Sequence, residues 1–158
     1  MVMLVVIVFL AALVLAKMVV IVPPGQVYIR TRLGRLQGPM MAGFHFVAPF
    51  IDNVSARYPA AKQPVTIADT FVSSDEENVK VELRAQYLIL DPAKAFQNIT
   101  DVDHAIRTLL ETSVKNEVER RKGDDFRFER RSIESDMQRK VNEAAEQFGV
   151  YVTECALK

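Results

Sequence analysis

Hydrophobic residues dominate the first part of the chain without interruption. The first sixteen residues carry no charged side chain, and after Lys17 the apolar run resumes and continues to Val22, where Pro23 and Pro24 follow. Tandem prolines end a helix because they lack backbone donors and clash with the preceding turn. A helix over Met1–Val22 would rise about 33 Å, which matches a hydrocarbon core of about 30 Å. The pattern predicts a membrane-anchor helix over residues 1–22.

The predicted anchor contains one charge. Lys17 lies near its C-terminal end, where a long side chain reaches the interface, and the apolar residues outweigh its insertion cost. The anchoring side chains in this interpretation are Val2, Leu4, Val5, Val6, Ile7, Phe9, Leu10 and Lys17. A cleaved signal peptide stays open as an alternative, because Val14-Leu15-Ala16 resembles a cleavage site. A buried core helix and a re-entrant hairpin are disfavoured, since the run has no polar face and no central Pro or Gly.

Alternation with a period of two follows the prolines. It predicts short strands at Gln26–Thr31, Gly43–Val47, Asn53–Tyr58 and Val65–Ile67, and one long strand at Asn78–Leu90. In the long strand the apolar positions share one side, namely Val79, Val81, Leu83, Ala85, Tyr87 and Ile89. An alternation of this length is typical of a sheet with one covered face and one face in water.

The second half of the chain is helical in pattern. Asp91 caps a short helix that reaches Phe96 with Pro92 at its first position, and a longer helix runs from Asp101 to about Arg121. A second amphipathic helix covers Glu129–Gln147, and Val150–Leu157 returns to the sheet. The fold class is therefore α+β: an N-terminal transmembrane helix, then one domain over residues 23–158 with an antiparallel-rich sheet and two amphipathic helices.

Charge and composition narrow the function. The formal net charge is +0, so no basic face points to nucleic acid. Arg30, Arg32 and Arg35 follow the predicted anchor before the first acid, Asp52, which favours a cytoplasmic location for the C-terminal domain. One cysteine cannot form an intramolecular disulfide.

Candidate catalytic and metal-binding residues are few. His45 stands between two phenylalanines and is interpreted as structural, while the acids Asp101 and Asp103 beside His104 suit a helix N-terminus better than a metal site. The acidic segment 73–78 lacks the spacing and the glycine of a calcium loop, and Cys155 is interpreted as a small buried hydrophobe. No phosphate loop or hydrolase motif occurs, so no enzyme activity, metal or cofactor is expected.

A mixed-charge stretch lies between the two long predicted helices. A solvated surface is the simpler interpretation, and a contact with lipid headgroups or with a partner is the alternative. As a hypothesis, the residues of a self-association surface are Arg120, Arg121, Lys122, Asp124, Asp125, Arg130 and Arg131.

Several short motifs occur in a characteristic order. They are V-P-P-G-Q-V at 22–27, T-R-L-G-R at 31–35, A-G-F-H-F-V-A-P-F-I-D at 42–52, L-D-P-A-K-A-F at 90–96 and F-G-V-Y-V-T at 148–153. In this order the chain resembles the stomatin/prohibitin/flotillin (SPFH) superfamily. Ala42 replaces a proline common in the family, and the usual C-terminal coiled coil is lacking in the sequence that ends at Lys158.

The resemblance implies a membrane scaffold. Proteins of that superfamily form large rings or cages, organise lipid microdomains and regulate membrane proteases or channels. The expectation for this chain is a membrane-anchored homo-oligomer whose partners are the lipid bilayer and a membrane protease or another membrane protein. The alternatives are an adaptor that does not form rings and, from another class, a signal-anchored enzyme.

Overall fold

The computed structural model describes residues 1–16 and 18–158, which form two compact units, Met1–Ala61 and Lys62–Lys158. Unit 1 contains α1 (Val2–Ala16) and the strands β1 (Val19–Val22), β2 (Gln26–Arg32), β3 (Arg35–Met40), β4 (Gly43–Phe46) and β5 (Asp52–Pro59). Unit 2 contains β6 (Gln63–Val72), β7 (Asn78–Ile89), α2 (Pro92–Asn98), α3 (Val102–Glu119), α4 (Gly123–Phe128), α5 (Arg130–Ala145), a 3₁₀ turn (Glu146–Phe148) and β8 (Val150–Leu157).

Helix α1 is shorter than the helix predicted over residues 1–22. It ends at Ala16, and Val19–Val22 forms strand β1, which pairs antiparallel with β4 from Val19 opposite Phe46 to Val22 opposite Gly43. Four β-branched residues suit a strand once a partner strand is available. The predicted continuation of the helix to Val22 is therefore wrong. Among the described residues, no helix combines the length and the apolar character that crossing a bilayer requires.

Unit 1 is built from two small antiparallel sheets. Strand β2 lies between β3 and β5, and β1 pairs with β4. The core of the unit consists of Val22, Tyr28, Met40 and Val47, with Val20 and Val54 packed against it. One side of the β1–β4 sheet therefore contributes Val20 and Val22 to this core.

Unit 2 has a single antiparallel sheet in the order β6–β7–β8. The alternation predicted for β7 is confirmed: Leu83 is fully buried, whereas Lys80 and Arg84 are exposed. Helices α3 and α5 supply fully buried apolar stripes, and these consist of Ile106, Leu110, Val114, Val118, Ile133, Met137, Val141 and Ala145. The α+β class with two amphipathic helices is confirmed.

Two elements differ from the sequence-based expectation. Strand β3 carries Gly38 and Pro39, which hide its alternation and suit an edge strand. Helix α4 occupies the mixed-charge stretch between the two long helices, for which no helix was predicted. The predicted caps are confirmed, because Asp91 accepts hydrogen bonds from the N–H groups of Ala93 (3.1 Å) and Lys94 (3.0 Å).

A buried carboxylate joins α3 to α5. Glu117 is buried, and it forms ion pairs with Lys140 on α5 and with Arg121, whose Nη2 lies 3.2 Å from Oε2 of Glu117. Arg121 also contacts Glu129 at 2.8 Å. A buried charge that loses its partner costs about 3–5 kcal/mol, so this network fixes the two helices relative to each other.

Gly149 connects the last helical turn to β8 and contacts the end of β7. Its φ of 68° is left-handed, and a Cβ built there would lie 2.5 Å from the carbonyl oxygen of Asp91. The N–H groups of Leu90 and Asp91 both donate to the Gly149 carbonyl oxygen, each at 2.9 Å. The C-terminal end of β7 and the start of β8 are thus joined through one glycine.

We expect Leu83→Asp to lower the free energy of unfolding by about 4 kcal/mol or more, because it buries a carboxylate without a partner. Lys80→Asp introduces the same residue at an exposed position of the same strand, and it should cost less than about 1 kcal/mol. Denaturant unfolding followed by circular dichroism measures both values. Similar losses from the two variants would contradict the assignment of the covered face.

Candidate membrane-contact site

The β1–β4 sheet presents a second, exposed apolar side. Val19 stands opposite Phe46 and Ile21 opposite Phe44 in the strand register. Their exposed fractions are 43% for Val19, 61% for Ile21, 77% for Phe44 and 75% for Phe46. Cross-strand neighbours lie about 5 Å apart, so these four side chains form one continuous surface, which we call the apolar face.

A turn after β4 displays another aromatic residue. Phe50 is 95% exposed and has a φ of 71°, a left-handed conformation that is rare for a residue with a bulky side chain. The N–H groups of Ile51 and Asp52 both donate to the Ala48 carbonyl oxygen, at 3.3 and 2.9 Å. The turn is thereby fixed so that the aromatic ring of Phe50 points into solvent.

Asp52 holds this turn in place. Its carboxylate accepts hydrogen bonds from Nε (2.6 Å) and Nη2 (3.0 Å) of Arg32 and from the N–H of Ala48 (3.0 Å). These bonds hold the pKa of Asp52 well below its usual range, and the hydrogen bond from Arg32 makes the largest contribution. The carboxylate therefore stays ionised throughout the physiological pH range and keeps β2 bound to the turn.

The charged residues of unit 1 are mainly basic. Unit 1 contains Arg30, Arg32, Arg35 and Arg57 together with Lys17, and its only acid in the sequence is Asp52. Arg30 donates to the Phe46 carbonyl oxygen at 3.5 Å, and Arg57 stacks over the Tyr28 ring with its guanidinium carbon 5.1 Å from the ring centre. An exposed apolar face with a guanidinium group bonded to one of its strands suits a surface of anionic lipid headgroups.

Several of the predicted anchor residues are exposed in helix α1. Each of them exposes about half or more of its surface, namely Leu4, Val5, Val6, Ile7, Phe9 and Leu10. Lys17 lies outside the described residues, and so does the side chain of Val2. A contiguous set of exposed apolar side chains, such as the described ones of α1, is stabilised by contact with another apolar phase or a partner.

The predicted self-association residues do not share one environment. Arg121 is held inside unit 2 by Glu117 and Glu129. The others are exposed on α4 and its flanks, namely Arg120, Lys122, Asp124, Asp125, Arg130 and Arg131. The structure therefore leaves six of these seven side chains accessible to a partner.

The residues that were weighed for catalysis or metal binding make local structural contacts. His45 Nε2 lies 2.7 Å from the Met41 carbonyl oxygen, Asp101 caps α3 by accepting from the His104 N–H at 3.1 Å, and Asp103 accepts from the Tyr87 hydroxyl. Burial raises the pKa of the Cys155 thiol to about 11. In the part of the chain described by the structure, no group of three His, Cys, Asp or Glu residues could hold a metal ion.

The segment with Ser73 and Asp75 also has a structural role. Asp75 accepts hydrogen bonds from the Ser73 hydroxyl and, at 3.2 Å, from the Gly123 N–H. These bonds lower the pKa of Asp75, with the Ser73 hydroxyl as the main cause. The β6–β7 turn is thus attached to the beginning of α4.

A family model described as SPFH domain / Band 7 family matches residues 20–158. The chain is 27% identical over 130 residues to an uncharacterised protein of Schizosaccharomyces pombe, covering 82% of this chain and 37% of that protein. It is 26% identical over 124 residues to the Escherichia coli K12 protein named Modulator of FtsH protease HflK, covering 78% of this chain and 30% of that protein.

A further relative is the human mitochondrial protein named Stomatin-like protein 2. It is 24% identical over 135 residues, and the match covers 84% of this chain and 37% of that protein. The chain therefore spans about a third of the length of these curated relatives.

The two sides of the β1–β4 sheet should respond differently to substitution. Met40→Ala removes a buried side chain from the core beneath the sheet, and we expect it to lower the free energy of unfolding by about 2–5 kcal/mol. The double variant Phe44→Ser, Phe46→Ser changes only exposed rings and should stay within about 0.5 kcal/mol for each residue. Thermal unfolding in detergent tests this, and a large loss in the double variant would show that the rings are buried.

Proposed function

This chain belongs to the SPFH domain / Band 7 family, and on that premise we propose that it is a membrane-associated scaffold. In this proposal it contacts the bilayer through unit 1, self-associates, and organises membrane proteins or lipid microdomains. The function is one of assembly and not of catalysis. The apolar face of the β1–β4 sheet is the observation that carries the proposal.

The apolar face is difficult to explain in a protein surrounded by water alone. Phe44 and Phe46 expose about three quarters of their surfaces on the same side as Ile21. Transfer of a phenylalanine or isoleucine side chain from water to an apolar environment is worth about 1.5–3 kcal/mol. An acyl-chain boundary would supply that environment for several side chains at once, and Phe50 on the nearby turn would add to it.

Charge supports the same orientation of unit 1 toward lipid. Basic residues near a membrane that contains anionic lipids contribute about 1 kcal/mol each. Arg30, Arg32 and Arg35 follow β1 closely in the sequence, and Lys17 precedes it. Basic residues next to an apolar surface also agree with a cytoplasmic location, because cytoplasmic leaflets are negatively charged.

Helix α1 would add to the membrane affinity. Its 15 residues rise about 22 Å, which is less than the hydrocarbon thickness of about 30 Å. We propose that α1 lies in the apolar part of the bilayer and that the apolar face of β1 and β4 continues this contact. The membrane association then rests on two adjacent elements of unit 1.

A more specific regulatory role is the second candidate. One relative of this chain is named as a modulator of the protease FtsH. By analogy, this chain would bind a membrane protease and modulate it. Such an adaptor would need the membrane contact but no ring, so self-association separates the two candidates.

The surface proposed for self-association is the exposed part of the mixed-charge stretch. Arg120, Lys122, Arg130 and Arg131 lie close in sequence to Asp124 and Asp125. Opposite charges on neighbouring copies would form a head-to-tail contact that closes into a ring. Each exposed pair contributes about 0–1 kcal/mol, and confinement to a membrane raises the effective concentration of the copies.

The membrane contact can be tested by fluorescence, because the chain contains no tryptophan. We expect Phe46→Trp in the full chain, reconstituted into vesicles of phosphatidylcholine and phosphatidylglycerol, to emit at shorter wavelength and to be quenched by brominated acyl chains. The matched control is Phe128→Trp, an exposed aromatic position of unit 2, which should not be quenched. Equal quenching at both positions, or none at position 46, would overturn the assignment of the apolar face.

The scaffold and the adaptor are distinguished by cross-linking in native membranes. We expect amine-reactive cross-linking to yield oligomers at about 50 mM salt and fewer of them at about 500 mM, because exposed ion pairs are screened. Reversing the four basic residues of the exposed surface to glutamate should have the same effect at low salt. A monomer under all conditions would exclude the scaffold and favour the adaptor.

A further inference from the structure

The two edges of the β6–β7–β8 sheet are treated differently by the fold. Along β8, side chains of α5 form hydrogen bonds with backbone groups that point away from β7. Asn142 accepts from the Val152 N–H at 2.7 Å and donates to the Val152 carbonyl oxygen at 3.1 Å, Gln138 donates to the same oxygen at 3.1 Å, and Glu134 accepts from the Leu157 N–H at 2.7 Å. This edge is blocked to another strand.

The outward-facing residues of β6 can be identified from three hydrogen bonds. The Lys158 N–H donates to the Glu82 carbonyl oxygen at 2.8 Å, so the backbone of Glu82 points toward the β8 side. Ala68 stands opposite Glu82, and the two form a non-hydrogen-bonded pair. In such a pair the backbone N–H and C=O groups of each residue point away from the partner strand. The backbone of Ala68 therefore points outward from the sheet.

Contacts on either side of Ala68 agree with this direction. Arg107 on α3 donates to the Thr66 carbonyl oxygen at 3.1 Å, and the Asp69 carboxylate accepts from the Thr70 N–H at 2.7 Å. Pro64, which has no N–H, occupies the corresponding position near the start of the strand, as an edge strand allows. The outward set is therefore Pro64, Thr66, Ala68, Thr70 and Val72.

The central part of this edge is open. Both the N–H and the carbonyl of Ala68 point outward, and among the described residues neither group has a protein partner. Thr66, Ala68 and Thr70 are all exposed and uncharged. An edge of this length with small uncharged side chains is a template for another strand.

We propose that β6 pairs antiparallel with β6 of a second copy of this chain, around a two-fold axis at Ala68. Ala68 then stands opposite its own counterpart, and Thr66 stands opposite the Thr70 of the other copy. Each of these residue pairs exchanges two backbone hydrogen bonds, and the two three-stranded sheets become one six-stranded sheet. The contact is isologous, so every bond occurs twice.

Charge complementarity between Arg107 and Asp69 favours a second copy of this chain as the partner of the β6 edge. In this register, the Thr70 of one copy replaces Arg107 as the donor to the Thr66 carbonyl oxygen of the other. Asp69 alternates with Thr70 and therefore lies on the side of the sheet that faces α3, where Arg107 originates. The released guanidinium group of one copy then meets the released carboxylate of the other, and the symmetry provides two such ion pairs.

This inference deepens the proposed scaffold function, because it names one interface through which the copies associate. A two-fold contact at β6 together with a head-to-tail contact around α4 would link each copy to more than one neighbour. The two proposals rest on different surfaces. The bromolipid experiment tests the apolar face of unit 1, and the experiment below tests only the β6 edge.

The test uses a disulfide that only this symmetry allows. In the background Cys155→Ser, which removes the natural thiol, we expect Ala68→Cys in the full chain to form a covalent dimer under copper–phenanthroline oxidation in native membranes. Opposing hydrogen-bonded residues have Cα atoms about 5.5 Å apart, within disulfide range. In the control Thr70→Cys the two thiols are displaced by four residues, about 13 Å, and should not react.

The outcomes separate the two proposals. A dimer from Ala68→Cys and none from Thr70→Cys supports the β6 pairing. The absence of a dimer from Ala68→Cys, or equal dimers from both variants, overturns it, and quenching at position 46 then decides independently whether the membrane contact holds.

A charge exchange provides the second measurement. Arg107→Asp and Asp69→Arg, each combined with Ala68→Cys and Cys155→Ser, should reduce the disulfide yield at least threefold because like charges then meet across the axis. The combination of both substitutions restores opposite charges and should restore the yield. Failure of the combination to recover the yield, while its circular dichroism spectrum matches that of the parent, would overturn the proposed register.

Discussion

The packing of α3 and α5 against one face of the β6–β7–β8 sheet is the interaction on which unit 2 depends. Ile106, Leu110 and Val114 on α3 and Ile133 and Met137 on α5 are fully buried. Each side chain of this size contributes about 1.5–3 kcal/mol when it leaves water. The two helices cover one face of the sheet, and the other face is mainly polar. Because side chains of α5 already bond the backbone of β8, the β6 edge remains the place where the backbone of this sheet can still form bonds.

Unit 1 uses its apolar residues in a different way. Its sheets are short, and the core formed around Tyr28 and Met40 covers only one side of the β1–β4 pair. Val19, Ile21, Phe44 and Phe46 on the other side are thus available for a contact outside the unit. This difference between the units follows from size, because a unit as short as unit 1 buries a smaller fraction of its surface than a large domain.

The sequence predicts those elements in which one residue pattern has only one structural solution. The alternation over 78–90 and the helical stripes over 101–121 and 129–147 are of this kind, and so are the caps at Asp91 and Asp101. The segment Val19–Val22 is not, because four apolar residues suit a helix or a strand equally until the partner β4 is known. Strand β3 was missed because Gly38 and Pro39 interrupt its pattern.

The apolar face was missed for a related reason. Alternation assigns Val19 and Ile21 to one side of β1 and Val20 and Val22 to the other, but all four are apolar, so the pattern alone does not tell which side is buried. The same holds for the open edge of β6. The direction of its backbone groups depends on the pairing register with β7, which local periodicity does not encode. The bond that Arg107 donates to Thr66 and the bond that Asp69 accepts from Thr70 reveal this direction only in the structure.

The junction at Gly149 has a consequence for the motions of unit 2. Because the amides of Leu90 and Asp91 share the carbonyl oxygen of Gly149, the end of β7 cannot fray while the segment that follows α5 stays in place. These two amides, far from Gly149 in sequence, should therefore show in hydrogen–deuterium exchange the same free energy of opening as the first residues of β8. The two chain segments then behave as one cooperative unit, although about sixty residues separate them along the sequence.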